Sequence, residues 1–262
     1  MNPRALLKKT GFLLDMIPLN LLIKITNNKI LLPFYHTVSN DKIQHIDNLY
    51  SIRDIDLFIN DLDFFCKYYN PISIDELHQI ILENKKISRP VFHLTFDDGL
   101  KEIYTIIAPI LHKKGIPATF FVNTDFIDNE DLFYRFKISL IIQLLNEVSD
   151  NELISKVSAQ LKISNSSRNE IIEKLELLTF ADLELIDTIG IILKIDFKVF
   201  LSKNKPYLSS SEIIELKEKG FTFGSHSLNH PLFKDLSFNQ QKTQILIQPR
   251  QCLKEWTNLS HQ

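Results

Sequence analysis

Val91-Phe92-His93-Leu94-Thr95-Phe96 is an apolar run that stops on two adjacent carboxylates and a glycine, Asp97-Asp98-Gly99. A short apolar run closed by a residue that permits a sharp turn reads as a buried strand. In α/β folds the carboxyl end of such a strand is where chemistry is done. The stretch therefore points to an α/β chain with two acids at the working end of its central strand. Taken alone, two acids before a glycine are also what an ordinary solvated turn contains.

The surrounding pattern fits a sheet wrapped by helices. Ile30 to Tyr35 reads as a strand ended by His36 and a polar loop from Thr37 to Asn48. Asp54 to Lys67 places Ile55, Phe58, Ile59, Leu62, Phe65 and Cys66 on one helical face, so Cys66 is expected in the core. A very short strand at Pro71 to Ser73 follows, and Ser73 with Glu76 forms a capping box for the next helix. After Gly99 a helical segment runs through Ile103, Ile106, Ile107, Ile110 and Leu111. Pro109 within it predicts a kink or two short helices, and Gly115 a C-terminal cap. Ala118 to Asn123 is a further strand, parallel to the central one. Leu132 to Asn146, Asn151 to Leu161, Ser167 to Leu178 and Ala181 to Ile189 read as helices of an insertion spanning 131–206. Its expected role is to fill space or to wall a substrate groove. Leu208 to Lys219, capped by Ser209 with Glu212 and closed by Gly220, leads into a strand from Phe221 to Ser225. Ser237 with Gln240 opens a last helix towards Trp256, bent at Pro249.

The 262 residues suit one domain covering 1–262. A formal net charge of -2 gives no footprint for nucleic acid. Two cysteines, Cys66 and Cys252, leave no disulfide framework and no cysteine-based zinc site. Residues 1–29 carry Arg4, Lys8 and Lys9 ahead of an apolar stretch that Asp15, Pro18, Asn20 and Lys24 interrupt. No small-residue cleavage site follows, and the stretch is too broken to span a bilayer. It reads as an amphipathic helix packed on the domain, whose basic end would also suit a peripheral membrane contact. The expected location is cytoplasmic or membrane-peripheral.

His226 and His230 follow the strand Phe221 to Ser225 as Asp97 and Asp98 follow the central one. Four residues apart, they are expected on one helical turn, pointing the same way, where two imidazoles bind one metal ion. Two strand ends would then present a carboxylate pair and a histidine pair to one pocket.

Three segments together are similar to the polysaccharide deacetylase family, also called the NodB-homology or carbohydrate esterase family four. They are Leu94-Thr95-Phe96-Asp97-Asp98-Gly99, Gly115-Ile116-Pro117-Ala118-Thr119-Phe120-Phe121 and Gly224-Ser225-His226-Ser227-Leu228-Asn229-His230-Pro231. Tyr35-His36 and Ile72-Ser73-Ile74-Asp75-Glu76-Leu77 resemble its N-terminal half. The resemblance spans about Leu31 to Asn123 and Tyr207 to Trp256. It implies a distorted (β/α) barrel and a metal-dependent hydrolase that removes acetyl groups, N-acetyl foremost, from a sugar polymer or glycan precursor. Asp97 matches the catalytic base, and Asp98, His226 and His230 match the metal ligands. The donor set suits zinc and also admits cobalt, nickel or iron.

The family's later motifs, an Arg-x-Pro-type segment and a Leu-x-His that supplies a general acid, have no counterpart. Pro249-Arg250 has the wrong order, and His261 lacks a strand. With five strand runs where a closed barrel needs more, the barrel is expected to be incomplete at its C-terminal side. The competing reading is a truncated or degenerate non-catalytic member that keeps the metal site and binds glycan. A magnesium site for a nucleotide-sugar enzyme would leave both histidines unexplained. Among the other histidines, His36 is a candidate substrate contact. His93 is expected in the core with one hydrogen bond, and His45, His78 and His112 in loops or on helix surfaces.

Overall fold

The computed structural model describes residues 17–163 and 167–247. The first sixteen residues of the expected N-terminal helix, the bend at Pro249, Trp256, Cys252 and His261 lie outside them. The chain is α/β, as its alternating pattern predicts. Its first described helix, α1 (Leu19–Thr26), starts directly after Pro18 and ends on Asn27 in the left-handed conformation.

The five strand runs become seven short strands because two runs are interrupted. Pro33, which has no N–H to donate, splits the first into β1 (Ile30–Leu31) and β2 (Phe34–Tyr35). The central run divides into β4 (Val91–Phe92) and β5 (Leu94–Phe96) around His93. With β3 (Asn70–Pro71), β6 (Ala118–Val122) and β7 (Thr222–Ser225) they form two parallel sheets, β1-β4-β3 and β2-β5-β6-β7. Among the described residues the sheet does not close into a barrel.

At His93 the central strand exchanges one neighbour for another. Ile72 still donates its N–H to the Phe92 carbonyl at 2.9 Å, and two residues later Leu94 pairs with Ala118. The His93 ring spans this fork. Its Nδ1 lies 2.8 Å from the Ile72 carbonyl and its Nε2 2.9 Å from Thr119 Oγ1. A carbonyl only accepts, so Nδ1 carries the proton and the Thr119 hydroxyl donates to Nε2. Two hydrogen bonds, where one was expected, tie β3 and β6 to the strand between them.

The helices begin where their caps predict. Asp54 caps α2 (Ile55–Tyr68), and capping boxes at Ser73/Glu76 and Ser209/Glu212 open α3 (Ile74–Leu82) and α10 (Ser210–Glu218). Each such cap contributes about 1 kcal/mol. Pro109 sits in the first turn of α4 (Ala108–Lys114), preceded by a π-helical turn at Ile103–Ile107, so the expected break is present. Gly115 closes α4 at φ +65°. On α2, Phe58 and Leu62 are buried, but Cys66 is exposed, contrary to its expected place in the core. It falls on the edge of the apolar stripe, one residue beyond Phe65.

Five helices follow β6: α5 (Tyr134–Glu147), α6 (Asn151–Gln160), α7 (Arg168–Glu176), α8 (Leu183–Ile192) and α9 (Phe197–Asn204). The last is absent from the sequence reading, which ends the helical pattern near Ile189. Asp196 caps it through the N–H groups of Lys198 and Val199. These helices share a core around Phe136, Ile141, Leu145, Ile186 and Ile189, separate from the core of the sheet around Phe92, Phe96 and Phe120. Ile43 and Ile46, from the loop after β2, are buried in the helical core, and so is His45. His45 thus lies in a loop, as expected, but is buried there and not on the surface. His78 and His112 are exposed as expected.

Candidate metal centre

Each acid of the Asp97-Asp98 pair is placed by backbone, not by chance of rotamer. The Asp97 N–H donates to the Tyr35 carbonyl at 2.9 Å, extending the β2–β5 pairing past the strand end. Asp98 and Gly99 then both take left-handed conformations, φ +73° and +64°. Aspartate is among the few non-glycine residues that tolerate this region. Gly99 has no alternative: a Cβ there would lie 2.9 Å from Val122 Cγ1. The turn is clamped from outside, since Leu208 donates to the Gly99 carbonyl and Lys101 to that of Pro206, both at 2.9 Å.

The histidines arrive by a different route from the one their spacing suggests. Residues 226–230 are not helical; they form a loop in which Ser227 and His230 have φ +72° and +58°. This loop brings the two Nε2 atoms to 3.0 Å of each other. The expected convergence is present, but backbone reversals produce it and helical periodicity does not.

Asp98 Oδ1 lies 3.3 Å from His230 Nε2 and 3.6 Å from His226 Nε2. The three ligand atoms fall within 4.8 Å of one another. Asp98 is 7% exposed, and its Oδ1 is buried with no hydrogen-bond partner among the described residues. Orphaned buried carboxylate oxygens are costly, and a cation is the usual remedy. His226 is held below its ordinary pKa chiefly by burial, against the pull of Asp97 and Asp98. That favours the neutral imidazole, the form that ligates metal. Burial likewise pushes the Asp97 carboxyl up, with the neighbouring His226 and His36 opposing. The donor set and its protonation fit a divalent ion held by Asp98, His226 and His230, with Asp97 beside it.

The supporting residues escape a reading by motif. Asn123 donates its amide to the His226 carbonyl and to Ser227 Oγ, and Ser227 Oγ accepts the His230 N–H at 3.2 Å. Gln244 Oε1 accepts from the Leu228 N–H at 3.0 Å, and its amide donates to Asn229 Oδ1 at 2.9 Å. The Phe133 ring packs on His230 with centroids 4.8 Å apart. Asn123 carried one signal, since it ends an apolar strand just as Asp97 does. Nothing local marks Gln244 or Phe133. His36 lies at the carboxyl end of β2, beside β5, close enough for its charge to be felt at Asp97 and His226. Its ring is 5.5 Å from that of Tyr50.

Residues 84–176 match the family profile described as polysaccharide deacetylase. Over that span the chain is similar to the polysaccharide deacetylase family, as its motifs imply. The matched span holds Asp97 and Asp98 and runs on through α5 and α6 into α7, while His226 and His230 lie beyond it. The profile match supports the coarse activity, deacetylation of glycans. The fold of the chain is similar to that of the Streptococcus pyogenes deacetylase PplD in complex with acetate. The two are 19% identical, with a TM-score of 0.53 over 88% of this chain and 70% of that one. It is likewise similar to IcaB from Ammonifex degensii, at 15% identity and a TM-score of 0.52 over the same shares of each chain. No curated protein sequence matches the chain. Among the described residues no helix is long and apolar enough to cross a membrane.

Proposed function

We propose that the chain is a metal-dependent hydrolase that removes N-acetyl groups from a sugar polymer or glycan precursor. The observation that carries this reading is the unpartnered, buried Asp98 Oδ1 facing two imidazole nitrogens, with a second carboxylate at the next residue. Asp98, His226 and His230 would hold the ion, for which zinc is the best fit to a histidine-rich set. A divalent ion bound there supplies Lewis acidity, which polarises an acyl oxygen and acidifies water.

The remaining chemistry belongs to the chain. Asp97 is not one of the three clustered ligands, and burial makes it a stronger base than a solvated carboxylate. It takes the proton of the attacking water. The carbon–nitrogen bond then breaks, and the leaving nitrogen must receive a proton to depart as an amine. The proton that Asp97 has taken is available to that nitrogen, and His36, at the adjacent strand end, would contact the substrate. Phe133, against His230, excludes water from one side of the pocket.

The test is acetate release from N-acetylglucosamine oligomers by the zinc-loaded protein. Asp97→Asn is expected to lower turnover by about a hundredfold or more while bound zinc stays stoichiometric. Turnover unaffected by Asp97→Asn rules out the mechanism. Stoichiometric zinc with no turnover on any acetylated sugar favours a non-catalytic glycan-binding member.

A further inference from the structure

Every strand pairing is parallel, so the segments that enter the strands share one end of the sheet and the metal centre lies at the other. The two ends carry opposite charge. Asp97, Asp98, Asp125 and Asp128 follow the carboxyl ends of β5 and β6. At the amino end Lys24, Lys67, Lys85, Lys86, Arg89 and Lys113 are all exposed. A formal net charge of -2 conceals this separation.

The cations belong to one continuous face. Lys29 Nζ donates to the Ile87 carbonyl at 3.0 Å, joining the end of α1 to the loop between α3 and β4. An ion pair between Lys114 and Asp63 joins the end of α4 to α2. Helix dipoles account for only part of the charge. Lys24, Lys67 and Lys113 stand in last helical turns, where a cation complements the dipole. Lys85, Lys86 and Arg89 come after α3 has ended and lack that reason. Lys85 pairs with Glu83 at 2.9 Å, whereas Lys24, Lys86, Arg89 and Lys113 have no carboxylate partner among the described residues.

Aliphatic side chains protrude among these cations. Ile81 and Leu82, just ahead of Lys85, are 57% and 68% exposed, and Ile25, next to Lys24, is 67% exposed. A soluble polyanion would engage the cations and leave the aliphatic groups in water. An anionic bilayer surface engages both, since its headgroups attract the charges and its interface takes up the apolar side chains.

We propose that the amino end of the sheet is a docking surface for a membrane containing anionic lipid. Ile25, Ile81 and Leu82 enter the headgroup layer, and the cations lie at its level. So docked, the metal centre faces away from the bilayer. The contact is independent of the reaction proposed above.

Co-sedimentation of the full chain with vesicles is the test, using phosphatidylcholine alone or with about one-third phosphatidylglycerol. The wild type is expected to bind the anionic vesicles at least about tenfold more tightly, and to lose most of that advantage at high salt. Lys86→Glu with Arg89→Glu should lower affinity for anionic vesicles about tenfold or more, and the milder Lys86→Gln with Arg89→Gln should act in the same direction. Ile81→Ser with Leu82→Ser should lower it several-fold. All four positions are exposed and lie at the far end from the metal centre, so each double variant should keep the wild-type circular dichroism and thermal midpoint. Equal affinity for the two kinds of vesicle, affinity for neither, or anionic affinity unmoved by the charge and apolar variants overturns the proposal. So does tighter binding to soluble dextran sulfate that ignores Ile81→Ser with Leu82→Ser, which would give the face to a soluble polyanion instead.

Discussion

In its proposed role Asp97 sets function against stability. Burial raises its carboxyl above the ordinary value of 3.8, so the metal-free native state binds this proton more tightly than the unfolded chain does. Linkage then fixes the sign: Asp97 favours folding at low pH, and that contribution is lost as pH rises through its folded pKa. In metal-free protein at pH 7, Asp97→Asn is therefore expected to raise the thermal unfolding midpoint, the same substitution proposed above to lower turnover. The gain should vanish near pH 3; equal midpoints at pH 7 refute the assignment. Both acids were legible in the sequence because an apolar strand run ends on them. The histidine pair was legible through its four-residue spacing, although the spacing works through a loop with two left-handed residues. Backbone reversals of that kind leave no periodic trace.

At the scale of elements, the forked central strand is the feature the sequence concealed. Val91 to Phe96 looks uniform because apolar residues mark burial and not the identity of the neighbouring strand. His93, a titratable side chain in the middle of that run, was the hint that something changes there. Its ring satisfies the Ile72 carbonyl and Thr119 Oγ1 across the exchange of partners. Replacing it by phenylalanine keeps the volume and strands the Ile72 carbonyl. His93→Phe is expected to cost roughly 1–3 kcal/mol in urea unfolding, the penalty for an unsatisfied buried acceptor. A loss below a few tenths of a kcal/mol excludes a bridging role. The caps, by contrast, were readable almost to the residue, since a side chain three positions from its partner is a purely local signal.

At the scale of the whole molecule, two cores meet through the loop after β2. His45 stands at that junction, 5% exposed, with Phe136 and Phe200 rings at 4.7 and 5.7 Å. Desolvation lowers its pKa from 6.5 to about 4. The unfolded chain therefore takes up a proton between those values that the native state refuses, and stability falls as pH drops through that window. The difference is on the order of 3 kcal/mol. Urea unfolding at pH 7.5 and pH 4.5 should show this loss in the wild type and a much smaller one in His45→Leu. Identical pH dependence in both proteins sinks the assignment. Neither the junction nor the burial of His45 was readable, because the residues that enclose it are distant in sequence.

The left-handed backbone at Asp98 and His230 has a consequence for the metal they are proposed to hold. Each position must supply a ligand and also tolerate a conformation that costs most side chains about 1–2 kcal/mol. Aspartate and histidine meet both demands, being several-fold enriched there among non-glycine residues. Cysteine or glutamate would bring a donor atom together with backbone strain. At these two of the three proposed ligand positions the turns thus disfavour a thiolate, and His226, outside the left-handed region, is the one place where cysteine would enter without backbone strain.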